Sequence, residues 1–121
     1  MSRYAGMTVQ GIALDDVEVR SAPKVRGERM VGGYTVRPNH ALHAGDNLGL
    51  HRHDKGHLVF VFDGAYLVRV IPHDAPESLV ILERGAMPLW IPAEYTHDFI
   101  ALTPDAAMHC IAFGSLNEVR P

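Results

Sequence analysis

Gly45-Asp46-Asn47-Leu48-Gly49-Leu50-His51-Arg52-His53-Asp54-Lys55-Gly56-His57-Leu58-Val59-Phe60-Val61-Phe62-Asp63-Gly64 is the stretch that decides the fold. His51 and His53 stand two apart, so on a strand both imidazoles point to one face and Arg52 to the other. Asp54-Lys55-Gly56 is a turn-forming triplet, and a third imidazole, His57, follows it. Leu58 to Phe62 is a β-branched and aromatic run that stops at the turn pair Asp63-Gly64. The stretch therefore reads as strand, turn, strand, turn, with three histidines gathered at the first turn. Imidazole is the commonest protein ligand for zinc, iron, copper and nickel. Two of them on one face of a stiff strand supply half a metal site at little ordering cost.

Outward from this stretch, the same pattern recurs. Residues 1–8 read as a loose arm. Val9 to Arg20 alternates Ile12, Leu14, Val17 and Val19 with acids and reads as one or two edge strands. Ser21 to Glu28, with Pro23, Gly27, Lys24 and Arg26, reads as a loop with a solvated cationic run. Arg29 to Arg37 reads as a strand interrupted by Gly32-Gly33 and ended by Pro38. Ala65 to Ile71 is expected to complete a hairpin with residues 57–62. Pro72 to Ser78 is a loop. Leu79 to Leu82, Leu89 to Ile91, His97 to Leu102 and Ala107 to Phe113 are further strands, and Gly114 to Pro121 is a tail. No apolar period of 3.6 persists over eleven residues, and strands recur about every ten residues. The expectation is an all-β sandwich or barrel.

With its motifs in view, the chain resembles the cupin superfamily. Gly45, His51, His53, position 57 and Gly64 are spaced as in that family's first motif, with His57 where the family usually has Glu. Gly85, Pro92 and His97 are similar to its second motif, with one extra residue between Gly85 and Pro92. The resemblance implies a double-stranded β-helix, the jelly-roll barrel, over residues 1–121 as one domain. It would have edge strands to about residue 30 and a barrel core at about 31–114. It also implies a metal held at the barrel mouth by His51, His53, His57 and His97.

Four neutral imidazoles would leave a divalent ion its full charge of about +2, where three His and one Glu leave about +1. The ion then attracts anions more strongly and acidifies bound water further. Nitrogen-only ligation favours Fe, Ni, Cu or Zn over Mn. These features point to an enzyme acting on a small anionic or enolisable molecule, first as a dioxygenase-type oxidoreductase. A Lewis-acid isomerase, cyclase or lyase and a non-catalytic binding barrel are the alternatives. A tetrahedral zinc closed by four His would be structural.

Glu94, in the turn before His97, and Tyr66 are the candidates for an acid or base, and no nucleophile triad is visible. Neighbours alternate on a strand, so one of Cys110 and His109 faces the interior, and the bland reading of Cys110 is a buried thiol. His40, His43 and His73 read as loop or surface histidines.

Composition agrees. In 121 residues, apolar side chains make up 47% and charged ones 21%, a globular balance. A net charge of −3 gives no case for nucleic acid. A lone cysteine and the lack of a leader-like or membrane-length apolar run suggest a cytoplasmic setting. Leu58, Phe60 and Phe62 should face away from His57, giving an apolar outer face that suggests a homodimer.

Overall fold

Side chains two apart share a face, and in the computed structural model that alternation builds two five-stranded sheets around one core. The structure describes residues 6–15, 20–21 and 29–119. The strands are β1 (Thr8–Val9), β2 (Ile12–Ala13), β3 (Arg20–Ser21), β4 (Arg29–Val31), β5 (Tyr34–Ala41), β6 (Asp46–Asn47) and β7 (Arg52–His53). They continue as β8 (His57–Asp63), β9 (Ala65–Ile71), β10 (Ser78–Glu83), β11 (Leu89–Ile91), β12 (Thr96–Ala101), β13 (Ala106–Phe113) and β14 (Glu118–Val119). No helix occurs among the described residues. One sheet runs β10-β9-β12-β6-β3, the other β11-β8-β13-β5-β4, and β14 pairs with β7.

The inner faces meet in a single cluster. Tyr66, Val68, Leu82, Phe99 and Ala101 of the first sheet pack on Ala41, Val59, Ile91, Ala106, Met108 and Cys110 of the second. The outer face of the first sheet is covered by the chain's own N-terminal hairpin. Leu14 is buried there with Leu67, Ile81 and Ile100. Gln10 reaches over the edge strand β10, where its amide accepts from the Ile81 N–H at 2.7 Å and donates to the Ile81 carbonyl at 3.2 Å. A side-chain amide there takes the place of a neighbouring strand and blunts the edge. Leu58, Phe60 and Phe62 do point outward on the second sheet, where Phe62, Trp90 and Phe113 are 47%, 58% and 71% exposed.

Three readings of the sequence need correcting. Strands β8 and β9 form no hairpin. Asp63-Gly64 carries the chain from one sheet to the other, and β9 instead pairs with β10 and β12 while β8 pairs with β11 and β13. A two-residue turn signal does not distinguish a hairpin from a corner between packed sheets. Pro38 does not end its strand: β5 runs on to Ala41. Among the described residues strand β4 reaches only as far as Val36 of β5, and none pairs with β5 on that side at Pro38, where the missing N–H of a proline costs nothing. The tail is also not all tail, since Glu118–Val119 is a strand. Of the N-terminal readings, Gly6 is tied to Asp15 by a 2.6 Å hydrogen bond. The arm at 1–5, the strand at 16–19 and the loop at 22–28, with Lys24 and Arg26, lie outside the described residues.

The corner at Gly64 has no space for a side chain. Its φ is +67°, and a Cβ there would lie 2.1 Å from Thr103 Oγ1 and 3.2 Å from the Ala106 backbone. Thr103 Oγ1 also accepts from the Ala65 N–H, so it cannot simply move away. Gly64→Ala is expected to lower the stability of the fold by about 1–3 kcal/mol, read as a lower urea midpoint.

Candidate metal centre

Four imidazoles meet inside the mouth of the barrel, each delivered by a different local device. His51 and His97 face each other across the sheet: each backbone N–H donates to the other's carbonyl, at 3.0 Å and 2.8 Å. Their ring centroids lie 4.3 Å apart. His53, two residues on, keeps the same face, with its ring 5.0 Å from His51 and 5.2 Å from His97. His57 opens β8 and pairs with Ile91; alternation sends its ring inward with Val59. That ring lies 4.8 Å from His53 and 5.0 Å from His97. All four residues are at most 2% exposed.

The hydrogen bonds decide what the rings can do. Nδ1 of His51 lies 2.8 Å from the Gly49 carbonyl, Nδ1 of His97 lies 2.8 Å from that of Tyr95, and Nδ1 of His53 lies 3.1 Å from that of Asn117. A carbonyl only accepts, so each Nδ1 carries the proton and each Nε2 keeps a bare lone pair. Ring nitrogens of His51, His53 and His97 lie within 4.8 Å of one another. Outer carbonyls that fix the tautomer while the opposite nitrogens converge are the arrangement found around metal-bound histidines.

Electrostatics point the same way. Burial lowers all four pKa values, and mutual repulsion of the rings adds to it for His53, His57 and His97. His53 falls to about 4, His97 to about 3 and His57 to about 2. The rings are neutral at pH 7, the form that ligates. His57 is the exception in its contacts. It is not one of the three within 4.8 Å, and both its nitrogens, like Nε2 of His97, are buried with no hydrogen-bond partner of ordinary geometry. Such orphaned nitrogens cost about 1–3 kcal/mol each, against a total stability of about 5–15 kcal/mol. A bound cation would relieve that cost, so the donor set fits a metal.

The other candidates stand elsewhere. Tyr66 lies four residues of strand away from the His97 row, paired with Ala101. Its hydroxyl donates to the Ala106 carbonyl at 2.8 Å, and burial raises its pKa. The Glu94 carboxylate is bound by Arg52, at 3.1 Å, on the face opposite His51 and His53. Cys110 faces the interior and burial lifts its thiol pKa to about 12. His40, His43 and His73 are exposed and apart from the cluster.

Sequence reasoning missed the groups that orient the rings. The Gly49 and Tyr95 carbonyls lie two residues before their histidines, a backbone signal that side-chain motifs do not carry. Asn117 sits 64 residues from His53 and nothing in the sequence joins them.

No family model and no curated protein matches the chain in sequence. Solved structures do. An oxalate oxidase in complex with glycolate superposes with a TM-score of 0.70 at 15% identity, over 80% of this chain and 54% of that one. Peruvianin-I, a cysteine peptidase from Thevetia peruviana latex, gives 0.66 at 16%, over 74% and 56%. The recombinant pro-11S globulin of pumpkin gives 0.63 at 11%, over 70% and 22%. The chain has the cupin fold. It spans about half the length of the oxalate oxidase. Proteins named as an oxidase, a peptidase and a globulin share this barrel, so the fold leaves the chemistry to the site.

The lowered pKa values set a sign for the metal-free protein. Between pH 6.5 and the folded values the unfolded chain binds more protons, so stability is fully present above about pH 6.5 and falls as pH drops. The slope is expected to reach about 1.4 kcal/mol per pH unit for each such histidine. His57→Leu, which removes the lowest of these pKa values and two orphaned nitrogens, is expected to raise the urea midpoint of the metal-free protein at pH 5 and flatten its pH dependence.

Proposed function

We propose that the chain is a metal-dependent cupin oxidoreductase, of dioxygenase type, acting on a small anionic substrate. The observation that carries this reading is the shared tautomer of His51, His53 and His97, whose Nδ1 protons are committed to backbone carbonyls. Those three would hold the ion through Nε2, and His57, in the place where cupins usually have Glu, would bring a fourth nitrogen. A bound iron or copper ion would supply one-electron chemistry toward O₂ and Lewis acidity toward the substrate.

The protein's own part is to hold neutral imidazoles together, buried from solvent. Without a carboxylate among them, they leave the site's positive charge undiminished, which favours a carboxylate, enolate or similar anion. The fold neighbour solved with glycolate, an oxalate oxidase, supports a small carboxylate. A second reading, a closed structural zinc, draws on the near-complete burial of all four rings.

The test is metal content by plasma mass spectrometry on untagged protein, followed by oxygen uptake with a panel of small carboxylates and diketones. Stoichiometric iron or copper, lost in His51→Ala and His97→Ala and accompanied by substrate-dependent oxygen uptake, is the expected result. Zinc or nickel with turnover but no oxygen uptake would replace the oxygenase by a Lewis-acid isomerase or lyase. Zinc without turnover would favour the structural reading. No ion, even after incubation with Fe, Ni, Cu, Zn or Mn, would leave a metal-free binding barrel.

A further inference from the structure

His51 and His97 take their orienting carbonyls from Gly49 and Tyr95, two residues upstream in the same stretch of backbone, so each ring is set by local chain geometry. His53 takes its carbonyl from Asn117, near the other end of the chain. The segment that carries Asn117 is fastened all around this point. The Asn117 carbonyl also accepts from the Asp54 N–H at 3.4 Å. The Asp54 carboxylate in turn accepts from the Asn117 N–H at 3.1 Å and its side-chain amide at 2.9 Å. Glu118 pairs in register with His53 across β14 and β7. On its other side, Arg37 of β5 donates to the Leu116 carbonyl at 2.9 Å and lies 3.8 Å from Glu118. Leu116 itself is buried. Lys55 donates to the Phe113 carbonyl at 3.3 Å, holding the start of the segment against the same turn.

We propose that residues 116–119 are a working part of the metal centre: docked between Arg37 and strand β7, they hold His53 in the tautomer and orientation that offer Nε2 to the ion. Asn117, Asp54 and Arg37 are positioning residues that act through His53. This inference rests on reading the histidine cluster as a metal centre. An unanchored neutral imidazole takes either tautomer, and the Nε2–H form has no lone pair there to give. Two ligands are thus set by local chain geometry, while the third is set by a segment that must dock. Ion binding and docking then reinforce each other, since whatever holds His53 in place favours both.

The test has two readouts. The first is the His53 tautomer in the metal-free full chain, from ¹⁵N chemical shifts of its ring. The second is affinity for Zn²⁺ and Co²⁺, by competition with a chromophoric chelator. In wild type, Nδ1 of His53 is expected to be protonated and Nε2 bare. Asp54→Ala, Asn117→Ala and a chain ended at Gly114 are expected to mix the tautomers at His53 and leave His51 and His97 unchanged. Each is expected to weaken ion binding, by about 10–100-fold for the shortened chain. Arg37→Lys should keep more affinity than Arg37→Met, and His40→Ala, on the exposed side of β5, should change nothing. If the shortened chain does not fold, Asp54→Ala, Asn117→Ala and Arg37→Met decide. A His53 that stays Nδ1-protonated, with unchanged affinity in these variants, overturns the inference. A wild type that binds neither ion overturns the metal reading, and the tautomer readout then still decides whether the segment positions His53.

Discussion

The reciprocal backbone pairing of His51 and His97 is the contact on which the site depends. The chain between Gly45 and His51 is too irregular to form a long strand, yet it runs beside β12 and is held there by the Gly45, Leu48 and His51 amides. That pairing closes the barrel mouth and sets two imidazoles 4.3 Å apart without any side-chain attraction between them. Backbone hydrogen bonding, worth about 0.5–1.5 kcal/mol per bond, thus places groups that would otherwise avoid each other. In the absence of a cation, four buried rings with three orphaned nitrogens are a destabilising arrangement, tolerated because the apolar core beneath holds the strands that carry them.

That division of labour explains what could be read from the sequence. The spacing of His51 and His53 and the apolar run after His57 fixed the faces of two strands, because alternation is a local rule and holds between bulges. The four histidines did come together. Alternation also put one of His109 and Cys110 inside, which the structure resolves as Cys110, and sent Leu58, Phe60 and Phe62 outside. Across turns the rule had nothing to say. Tyr66 faces the core, but its strand follows a turn, so alternation alone did not place it. Asp63-Gly64 has the composition of a hairpin turn and makes a corner, because the choice rests on which neighbours β8 and β9 find elsewhere in the chain. Asn117 was silent for the same reason.

A histidine buried at position 57 has a physical cost. A carboxylate in its place would be drawn to any protonated ring, and to a cation if one were bound. A neutral imidazole there has neither attraction, and burial makes charging it harder still. Metal-free protein is therefore where this residue is least comfortable; in the metal reading proposed above, position 57 would exchange stability of the empty barrel for charge left on the ion.

Strand β13 lies in the middle of its sheet, between β8 and β5, although it comes near the end of the chain. Its partners are separated from it by more than forty and sixty residues, so most of the pairing that builds this sheet is distant in sequence. A chain emerging from a ribosome can lay out β5 and β8 but cannot join them until Phe113 is made. Folding must wait for that last insertion and proceed by long-range closure, which is slow. His57, on β8, is synthesised well before the β13 strand that secures its sheet, so the histidine cluster cannot be fully framed until β13 has been made.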